Sequence, residues 1–291
     1  MNLGLESLTT KKRNLIGNVL FSKIGASELQ VLHKYSYSMA DMHFHPNALF
    51  LRGAARDRRY KEIIDSARKM GAGLAVTEHN TISSYLSLSK NKKGVTVIPA
   101  MEISCNNRPH FLFYFYSNGE LAEFYERHVK PYHRANPLLP IKASAERIVG
   151  FASDYNCIVS AAHPFDPVYG LYPNMVCGRT DSSVLDMIDA IEVLNSKNMH
   201  CNNLDSIEFA KRIKKPFTAG SDGHRPVELG NALVCSRAHS TESFLSNIIK
   251  QKNIILGCEA SRIMKIQSWL SESTNYLHTP IADLKYLFGL E

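Results

Sequence analysis

Histidine and carboxylate side chains recur in this 291-residue chain where apolar, strand-like segments end. His43 and His45 are two residues apart at one such end. Residues i and i+2 of a strand point to the same face, so both imidazoles can reach one ion. Asp222 and His224 form a second pair with the same spacing. Imidazole and carboxylate ligands suit Zn, Mn or Fe better than Ca, so the two pairs predict a transition-metal site.

Four further residues extend this pattern. His79 follows an apolar run, and Glu102 follows another, where its carboxylate can bridge two cations. His110 precedes an aromatic run, and His163 precedes Pro164 at the end of a third apolar run. The full set exceeds the needs of one ion and predicts two or three divalent cations (Mn, Zn or Fe). The predicted ligands are His43, His45, His79, Glu102, His110, His163, Asp222 and His224.

The elements that must position these ligands alternate between strands and helices. Apolar residues on one face predict a helix from Arg59 to Met70. Repeated strand-then-helix units imply parallel strands with crossover helices, and in a β/α barrel the catalytic groups gather at the carboxyl ends of the strands. The predicted strands that matter here are 38–45, 74–77, 95–101, 111–116, 157–162, 190–194 and 216–220.

The order of these motifs resembles the PHP (polymerase and histidinol phosphatase) family, and within it the small stand-alone metal-dependent phosphoesterases. The motifs are Asp-x-His-x-His, Thr-x-His-Asn, a strand-end Glu, a His before an apolar run, Ala-His-Pro and Gly-Ser-Asp-x-His, which together span roughly Ser38 to Cys258. The resemblance implies an α/β fold, a distorted (β/α)7 barrel, and phosphoester hydrolysis by a metal-activated hydroxide. We accordingly predict an N-terminal extension over 1–37, the phosphoesterase domain over 38–260, and a tail over 261–291 that packs on the barrel or on a partner.

The family pattern also implies how the ligands are shared among the cations. One cation would be held by His43, His45, Glu102 and Asp222. A second would be held by Glu102, His110 and His163. A third would use His79 and His224.

Two departures from the family pattern affect the third cation. Family members commonly have an aspartate five residues after the second His of His-x-His, where this chain has Phe50. Asp57 is a candidate for a shifted carboxylate. The second departure is Glu78, which stands where an aspartate is usual before His79.

Several residues beside the ligands could act on the substrate. His224 and His79 are candidates to protonate the leaving oxygen. Arg225 is the first candidate for a phosphate clamp, because a guanidinium binds phosphate bidentately, and Arg108 is a second. Asn195 ends a strand and is predicted to orient the substrate or a ligand.

Charge and composition restrict the function classes. Lys and Arg number 34 against 27 Asp and Glu, and the resulting charge of +7 attracts phosphates and nucleic acid. The predicted substrate is a phosphorylated small molecule, a nucleotide or a nucleic acid, with a slight preference for the last two. Two alternatives stay open: a histidinol-phosphate-type phosphatase, and a weakly active metal-bound regulatory module in a nucleic-acid-processing assembly, which Phe50 favours. A protein partner could bind through the termini.

Apolar runs and cysteines indicate where in the cell the protein is located. No run of 18 apolar residues exists, which excludes a transmembrane helix and a membrane role. The first twenty residues lack the apolar core of a secretory signal. The six cysteines form no Cys-x-x-Cys pair and are interpreted as reduced thiols, so the sequence predicts a cytoplasmic enzyme.

Overall fold

The computed structural model of the protein describes residues 15–280 and Asp283. In chain order, its strands are β1 (Leu15–Ile16), β2 (Val19–Phe21), β3 (Ser38–Phe44), β4 (Gly73–Val76), β5 (Val97–Ile98), β6 (Ala100–Ser104), β7 (His110–Phe115), β8 (Cys157–Ala161), β9 (Ala190–Asn195), β10 (Phe217–Gly220), β11 (Ala232–Ser236) and β12 (Asn253–Gly257). They form a seven-stranded sheet in the order β1-β2-β12-β11-β3-β4-β5 and a five-stranded sheet in the order β10-β9-β8-β7-β6. The predicted α/β class is confirmed.

The α-helices of the described residues are α1 (Ala26–Lys34), α2 (Gly53–Met70), α3 (Ser83–Lys90), α4 (Asn118–Phe124), α5 (Ala145–Phe151), α6 (Leu171–Val176), α7 (Val184–Met187), α8 (His200–Arg212), α9 (Thr241–Ile249) and α10 (Arg262–Ser273). The predicted helix at 59–70 forms but begins six residues earlier, at Gly53. It ends at Gly71, whose left-handed φ of 66° caps it. Within the described part of the chain, no helix is long and apolar enough to cross a membrane.

The strand directions differ in part from the expectation of parallel pairs throughout. β3 runs parallel to β4, β8 runs parallel to β9, and β9 runs parallel to β10. However, β7 runs antiparallel to both β6 and β8, and β11 runs antiparallel to both β3 and β12. Only five residues join β6 to β7. That length suffices for an antiparallel connection but not for a helical crossover.

The strand predicted at 95–101 is divided at Pro99. Its first part is β5, in the larger sheet, and the chain after Pro99 enters the smaller sheet as β6. Proline has no backbone N–H to donate to a ladder, which fits a change of sheet at this residue. One consequence is that Glu102 lies inside β6. The sequence had suggested instead that it follows the end of a strand.

The two sheets meet at two isolated bridges, one between Phe44 and Gly223 and one between His79 and Glu102. Near the first bridge, β10 approaches β3 so closely that a Cβ on Gly220 would lie 2.3 Å from the Cβ of His43. Farther inside, the buried Tyr114 hydroxyl donates a hydrogen bond to the Met42 carbonyl at 2.9 Å. These contacts bring the ends of β3, β4, β6 and β10 to one place.

Residues on either side of the predicted domain over 38–260 also contribute to the fold. β2 lies within the predicted N-terminal extension, and it pairs in parallel with β12. Within the predicted C-terminal tail, α10 begins at Arg262, and the Ser261 side chain caps it by accepting from the Met264 N–H. The predicted N-terminal extension and C-terminal tail reach beyond the described residues at 1–14, 281–282 and 284–291.

Gly220→Ala tests the close approach of β10 to β3. We expect the free energy of unfolding to fall by about 1–3 kcal/mol, because the added methyl group overlaps His43 and forces one strand to move. Thermal and chemical denaturation would measure the loss. Gly150→Ala is the matched control, since it adds the same methyl group inside α5 with nothing within 4 Å and should leave stability unchanged or slightly raised. Equal stability of the two variants would contradict the close approach.

Candidate metal centre

All eight predicted ligands lie together at the place where the two sheets meet. His43 is the penultimate residue of β3 and His45 follows that strand, while His79 follows β4. Glu102 belongs to β6 and His110 opens β7. The remaining three are in the connections after β8 and β10, namely His163, Asp222 and His224. Positions far apart along the chain therefore converge as the sequence predicted, although their roles as ligands stay a prediction.

Glu102 is the centre of this cluster. Its Oε2 lies 2.9 Å from His79 Nδ1, 3.3 Å from His45 Nε2 and 3.5 Å from His43 Nε2. Its Oε1 lies 3.1 Å from His110 Nδ1 and 3.3 Å from His163 Nε2. The side chain is only 1% exposed. Burial raises the pKa of this carboxyl, but the imidazoles of His79, His43 and His110 outweigh burial and hold the pKa well below its ordinary value.

The donor atoms in the cluster fit a bound metal ion. The ring nitrogens Nε2 of His43 and His45 face each other at 3.0 Å. His43 Nδ1 lies 2.9 Å from Glu192 Oε1, so a proton on Nδ1 leaves the Nε2 lone pair directed into the cluster. Buried Glu102 Oε2 makes no hydrogen bond of acceptable geometry among the described residues, although three imidazole nitrogens lie within 3.5 Å of it. These imidazole nitrogens and carboxylate oxygens form a donor set that suits a divalent transition-metal ion.

Three groups of donors have the compactness that a metal ion needs. In each group the ligand atoms lie within 4.8 Å of one another. The groups are His43 with His45 and Glu102, His79 with Glu102 and His110, and His45 with His79 and His224. Neighbouring groups share members, which is the arrangement expected of a cluster of ions bridged by common ligands.

Burial and charge compete at several of these imidazoles. Burial lowers the pKa of His43, but Glu192, Asp222 and Glu102 raise it well above the ordinary value. At His163, the effect of Glu102 also exceeds that of burial and raises the pKa to about 9. At His110, burial dominates and the pKa falls to about 4. The carboxylates of Glu102, Glu192 and Asp222 thus favour positive charge around His43 and His163.

Glu192 supports the cluster from behind, and the sequence analysis did not identify it. Besides its contact with His43, its Oε2 accepts hydrogen bonds from the His163 backbone N–H at 2.7 Å and from Asn195 Nδ2 at 3.0 Å. It was detectable in principle, because it is the one carboxylate within the apolar run at 190–194. Carboxylates that orient metal-binding histidines have this placement.

Asn195 connects this support to Asp222. Its Nδ2 also donates to Asp222 Oδ2 at 3.2 Å, and Asp222 Oδ1 lies 3.5 Å from His45 Nε2. A closed ring of contacts therefore runs through Glu102, His43, Glu192, Asn195, Asp222 and His45. The structure places Asn195 against two carboxylates, where it orients a predicted ligand.

Lys197 is a second residue that the sequence analysis missed. Its Nζ lies 2.8 Å from His224 Nδ1 and 3.4 Å from Asp222 Oδ1. It also lies 3.4 Å from Glu272 Oε2, which α10 contributes. Burial lowers the pKa of Lys197, but Asp222 and Glu272 raise it above its ordinary value. Burial raises the pKa of Glu272, but His224 and Lys197 lower it to about 2, so the two groups form a charged pair.

A cavity of about 750 Å³ opens onto the cluster. His79, Glu102, His110, His163, Asp222 and His224 reach its wall. Beside them the wall carries Arg108, Tyr169, Lys197, Trp269, Glu272 and Tyr276. Polar and aromatic side chains thus surround the open side of the candidate metal centre.

The two predicted phosphate-binding arginines differ in position. Arg108 lines the cavity, in a left-handed backbone conformation with φ of 91°. Arg225 is not among the residues that line this cavity, and its Nε donates to Glu228 Oε1 at 3.4 Å. Of the two arginines, Arg108 therefore lies at the cavity, while Arg225 is paired with Glu228.

The two departures near the third predicted cation have structural counterparts. The Phe50 ring stacks on His278, with centroids 4.5 Å apart. Glu78 accepts hydrogen bonds from the Ala48 N–H and from Ser84 Oγ. Asp57 is exposed on α2 and belongs to none of the three donor groups. Glu78 is thus hydrogen-bonded to Ala48 and to helix α3, and Asp57 lies outside the three donor groups.

Comparison with known proteins supports the resemblance to PHP proteins. A family model described as PHP-associated matches residues 201–253. No curated protein matches. Among solved structures, PsfC from Pseudomonas syringae PB-5123 has 18% identity and a TM-score of 0.56, with 84% of this chain and 100% of that chain covered. The match to the PHP-associated model confirms the PHP resemblance that the motif order indicated.

Two endonuclease Q structures share the fold as well. One, a complex with a 27-mer duplex substrate that carries an abasic lesion at the active site, has 20% identity, a TM-score of 0.60 and coverage of 77% of this chain and 60% of that chain. The lesion-specific endonuclease PfuEndoQ from Pyrococcus furiosus has 21% identity, a TM-score of 0.58 and coverage of 75% and 57%. The chain thus spans less than two thirds of the length of these endonucleases, and the likeness is one of fold.

Glu192→Gln tests whether the residue behind His43 tunes a metal ligand. We expect affinity for Mn²⁺ to fall about 10- to 100-fold, because the neutral amide no longer holds the His43 ring with its charge. Isothermal titration calorimetry with MnCl₂ would measure the change. Glu123→Gln is the matched control, since Glu123 is exposed on α4 and pairs only with Arg127 among the contacts of the described residues. Equal Mn²⁺ affinity in Glu192→Gln and wild type would contradict this role.

Proposed function

We propose that this protein is a metal-dependent phosphoesterase, which hydrolyses a phosphoester bond of a nucleotide or nucleic acid. The observation that carries the proposal is the buried Glu102 carboxylate, whose two oxygens face five imidazoles at the end of an open cavity. A carboxylate that presents each oxygen to a different set of nitrogen ligands is suited to bridging two cations. The match to the PHP-associated model supports the same conclusion.

We assign the ligands to two cations in agreement with the contacts around Glu102. One would be held on the Oε2 side by His43, His45, Glu102 and Asp222. The other would be held on the Oε1 side by Glu102, His110 and His163. Divalent cations bound there supply Lewis acidity and activate water for attack on phosphorus.

The remaining side chains would handle the substrate. His79 and His224 both reach the cavity wall, where either ring can donate a proton to the leaving oxygen. Arg108 is placed to contact the phosphate oxygens through its guanidinium, whereas Arg225 would first have to leave Glu228. Asn195 keeps Asp222 oriented from behind.

The proposed substrate class depends on the aromatic side of the cavity. Trp269 is the only tryptophan in the sequence, and it stands 64% exposed where it lines the cavity. Tyr169 and Tyr276 line the same cavity, and aromatic rings beside a phosphate site are suited to stacking on nucleobases. The net charge of +7 and the abasic-DNA complex of the endonuclease Q that shares this fold point in the same direction.

The same proposal includes the architecture. The bridges at Phe44–Gly223 and His79–Glu102 lie at the two places where the sheets approach each other. We take these bridges to be the seams of a distorted barrel, with β3, β4, β6 and β10 meeting at its mouth. The central strands would then form the predicted domain, and α10 would form the part of the tail that packs over the mouth.

His43→Ala and Asp222→Ala test the metal-dependent reaction. With Mn²⁺ present, we expect wild-type protein to hydrolyse bis-p-nitrophenyl phosphate or p-nitrophenyl phosphate. The kcat/KM of each variant should fall at least about 100-fold, because each substitution removes a proposed ligand of the cation that activates water. Elemental analysis of protein purified without chelator should give two ions for wild type and fewer for the variants. His239→Ala, at an exposed position, should match wild type. Full activity in both test variants would refute the proposed centre.

Trp269 offers a direct test of the substrate class. Stacking of a base on this single tryptophan should quench its fluorescence when a nucleoside monophosphate or a short single-stranded oligonucleotide binds. Ribose 5-phosphate, which lacks the base, should leave the emission nearly unchanged. Trp269→Ala should weaken oligonucleotide binding about tenfold or more, as expected for the loss of one stacked base. The weakening is measurable by fluorescence anisotropy of a labelled oligonucleotide.

The matched control for this test is Ile263→Ala. Ile263 is 70% exposed on the same helix and is not among the residues that line the cavity. Equal oligonucleotide affinity for Trp269→Ala and Ile263→Ala, or equal quenching by ribose 5-phosphate and a nucleotide, would argue for a small, base-free phosphoester substrate instead.

A further inference from the structure

The third group of donor atoms has a neighbour that the other two groups lack. His45, His79 and His224 offer three imidazoles whose ligand atoms lie within 4.8 Å of one another. These would be three of the ligands of a third cation. Lys197 Nζ lies 2.8 Å from Nδ1 of His224, a member of this group. A protonated amine therefore already stands beside the one group that contains no carboxylate.

Both the backbone and the side chain of Lys197 make polar contacts here. Its backbone N–H donates to the Asn195 side-chain oxygen at 2.9 Å, and its side chain is only 23% exposed. Its Nζ contacts Asp222 Oδ1 and Glu272 Oε2, both at 3.4 Å. Glu272 Oε2 also lies 3.5 Å from His224 Nε2, so a single carboxylate serves both the lysine and the histidine.

Lys197 already brings one positive charge to this point, opposite the carboxylates of Asp222 and Glu272. A divalent cation coordinated by His224 would stand within a few ångströms of the ammonium, where like charges repel strongly. Nearby, Phe50 stacks on His278, and Glu78 accepts hydrogen bonds from Ala48 and Ser84. Glu78 belongs to none of the three donor groups.

We propose that the Lys197 ammonium takes the place of a third cation at this end of the site and supplies its positive charge to the phosphate. This inference rests on the proposed function, since it assumes two metal ions at the Glu102 carboxylate. Lys197 lines the cavity. Two of its three polar contacts are as long as 3.4 Å, so an N–H can turn toward a phosphate oxygen at little cost. Unlike a bound ion, a lysine cannot be lost to a chelator.

The test compares ion counts and phosphate affinity in three proteins. The full-length wild type, Lys197→Met and Lys197→Arg would each be saturated with MnCl₂, dialysed, and analysed for bound Mn. We expect two ions in wild type and in Lys197→Arg, which keeps the charge, and three in Lys197→Met, which removes it. With Mn²⁺ limited to two equivalents, Lys197→Met should bind inorganic phosphate about tenfold or more weakly by calorimetry, while Lys197→Arg should retain most of the affinity.

Lys61→Met provides the matched control, because Lys61 is 72% exposed on α2 and pairs with Asp65 one turn later on the same helix. It should bind two ions and phosphate as wild type does. Thermal denaturation would confirm that each variant is folded. Three ions in wild type, or the same ion count in wild type and Lys197→Met, would overturn this inference while leaving the phosphoesterase proposal intact. Fewer than two ions in wild type would overturn the proposed function, and the role of Lys197 with it.

Discussion

A buried carboxylate among imidazoles is the constraint around which the rest of this molecule is arranged. Removing an ionised carboxyl from water costs several kcal/mol unless opposite charge or hydrogen bonds replace the solvent. Glu102 is almost fully buried, and the replacement comes from histidines carried by or following four other strands. The strands β3, β4 and β8 must therefore end close to β6, and β7 must begin there. The close approach at Gly220 brings β10, with Asp222 beyond it, to the same place.

Much of the candidate site was predictable because its signals are local. A same-face pair such as His43 and His45, or a polar residue directly after an apolar run, can be recognised within a few residues of sequence. The strand at 157–162 and the helix at 59–70 were recognisable for the same reason, since each has a clear apolar pattern. When several such ends carry metal-type ligands, their convergence follows from the general rule that functional groups gather at one edge of a β/α sheet.

Other features were not accessible in this way because they depend on partners distant in sequence. Nothing local distinguishes Lys197 from a solvated loop lysine until Glu272, 75 residues later, is placed beside it. Arg225 looked like a phosphate clamp from its position next to His224, but its neighbour Glu228 engages it. The antiparallel strands were also hidden, since strand direction is decided by the length of the connections and by the sheet to which each strand is added.

The seven-stranded sheet has a consequence for how the chain is made. β2 pairs with β12, and the side-chain hydrogen bond from Asn18 to Asn253 joins residues 235 positions apart. During synthesis at about 5–20 residues per second, the first strands would leave the ribosome roughly 10–50 s before their partner exists. Until then, the apolar residues of Val19–Phe21 have no sheet to join. Completion of this edge is therefore a late step in folding, set by translation and not by local structure formation.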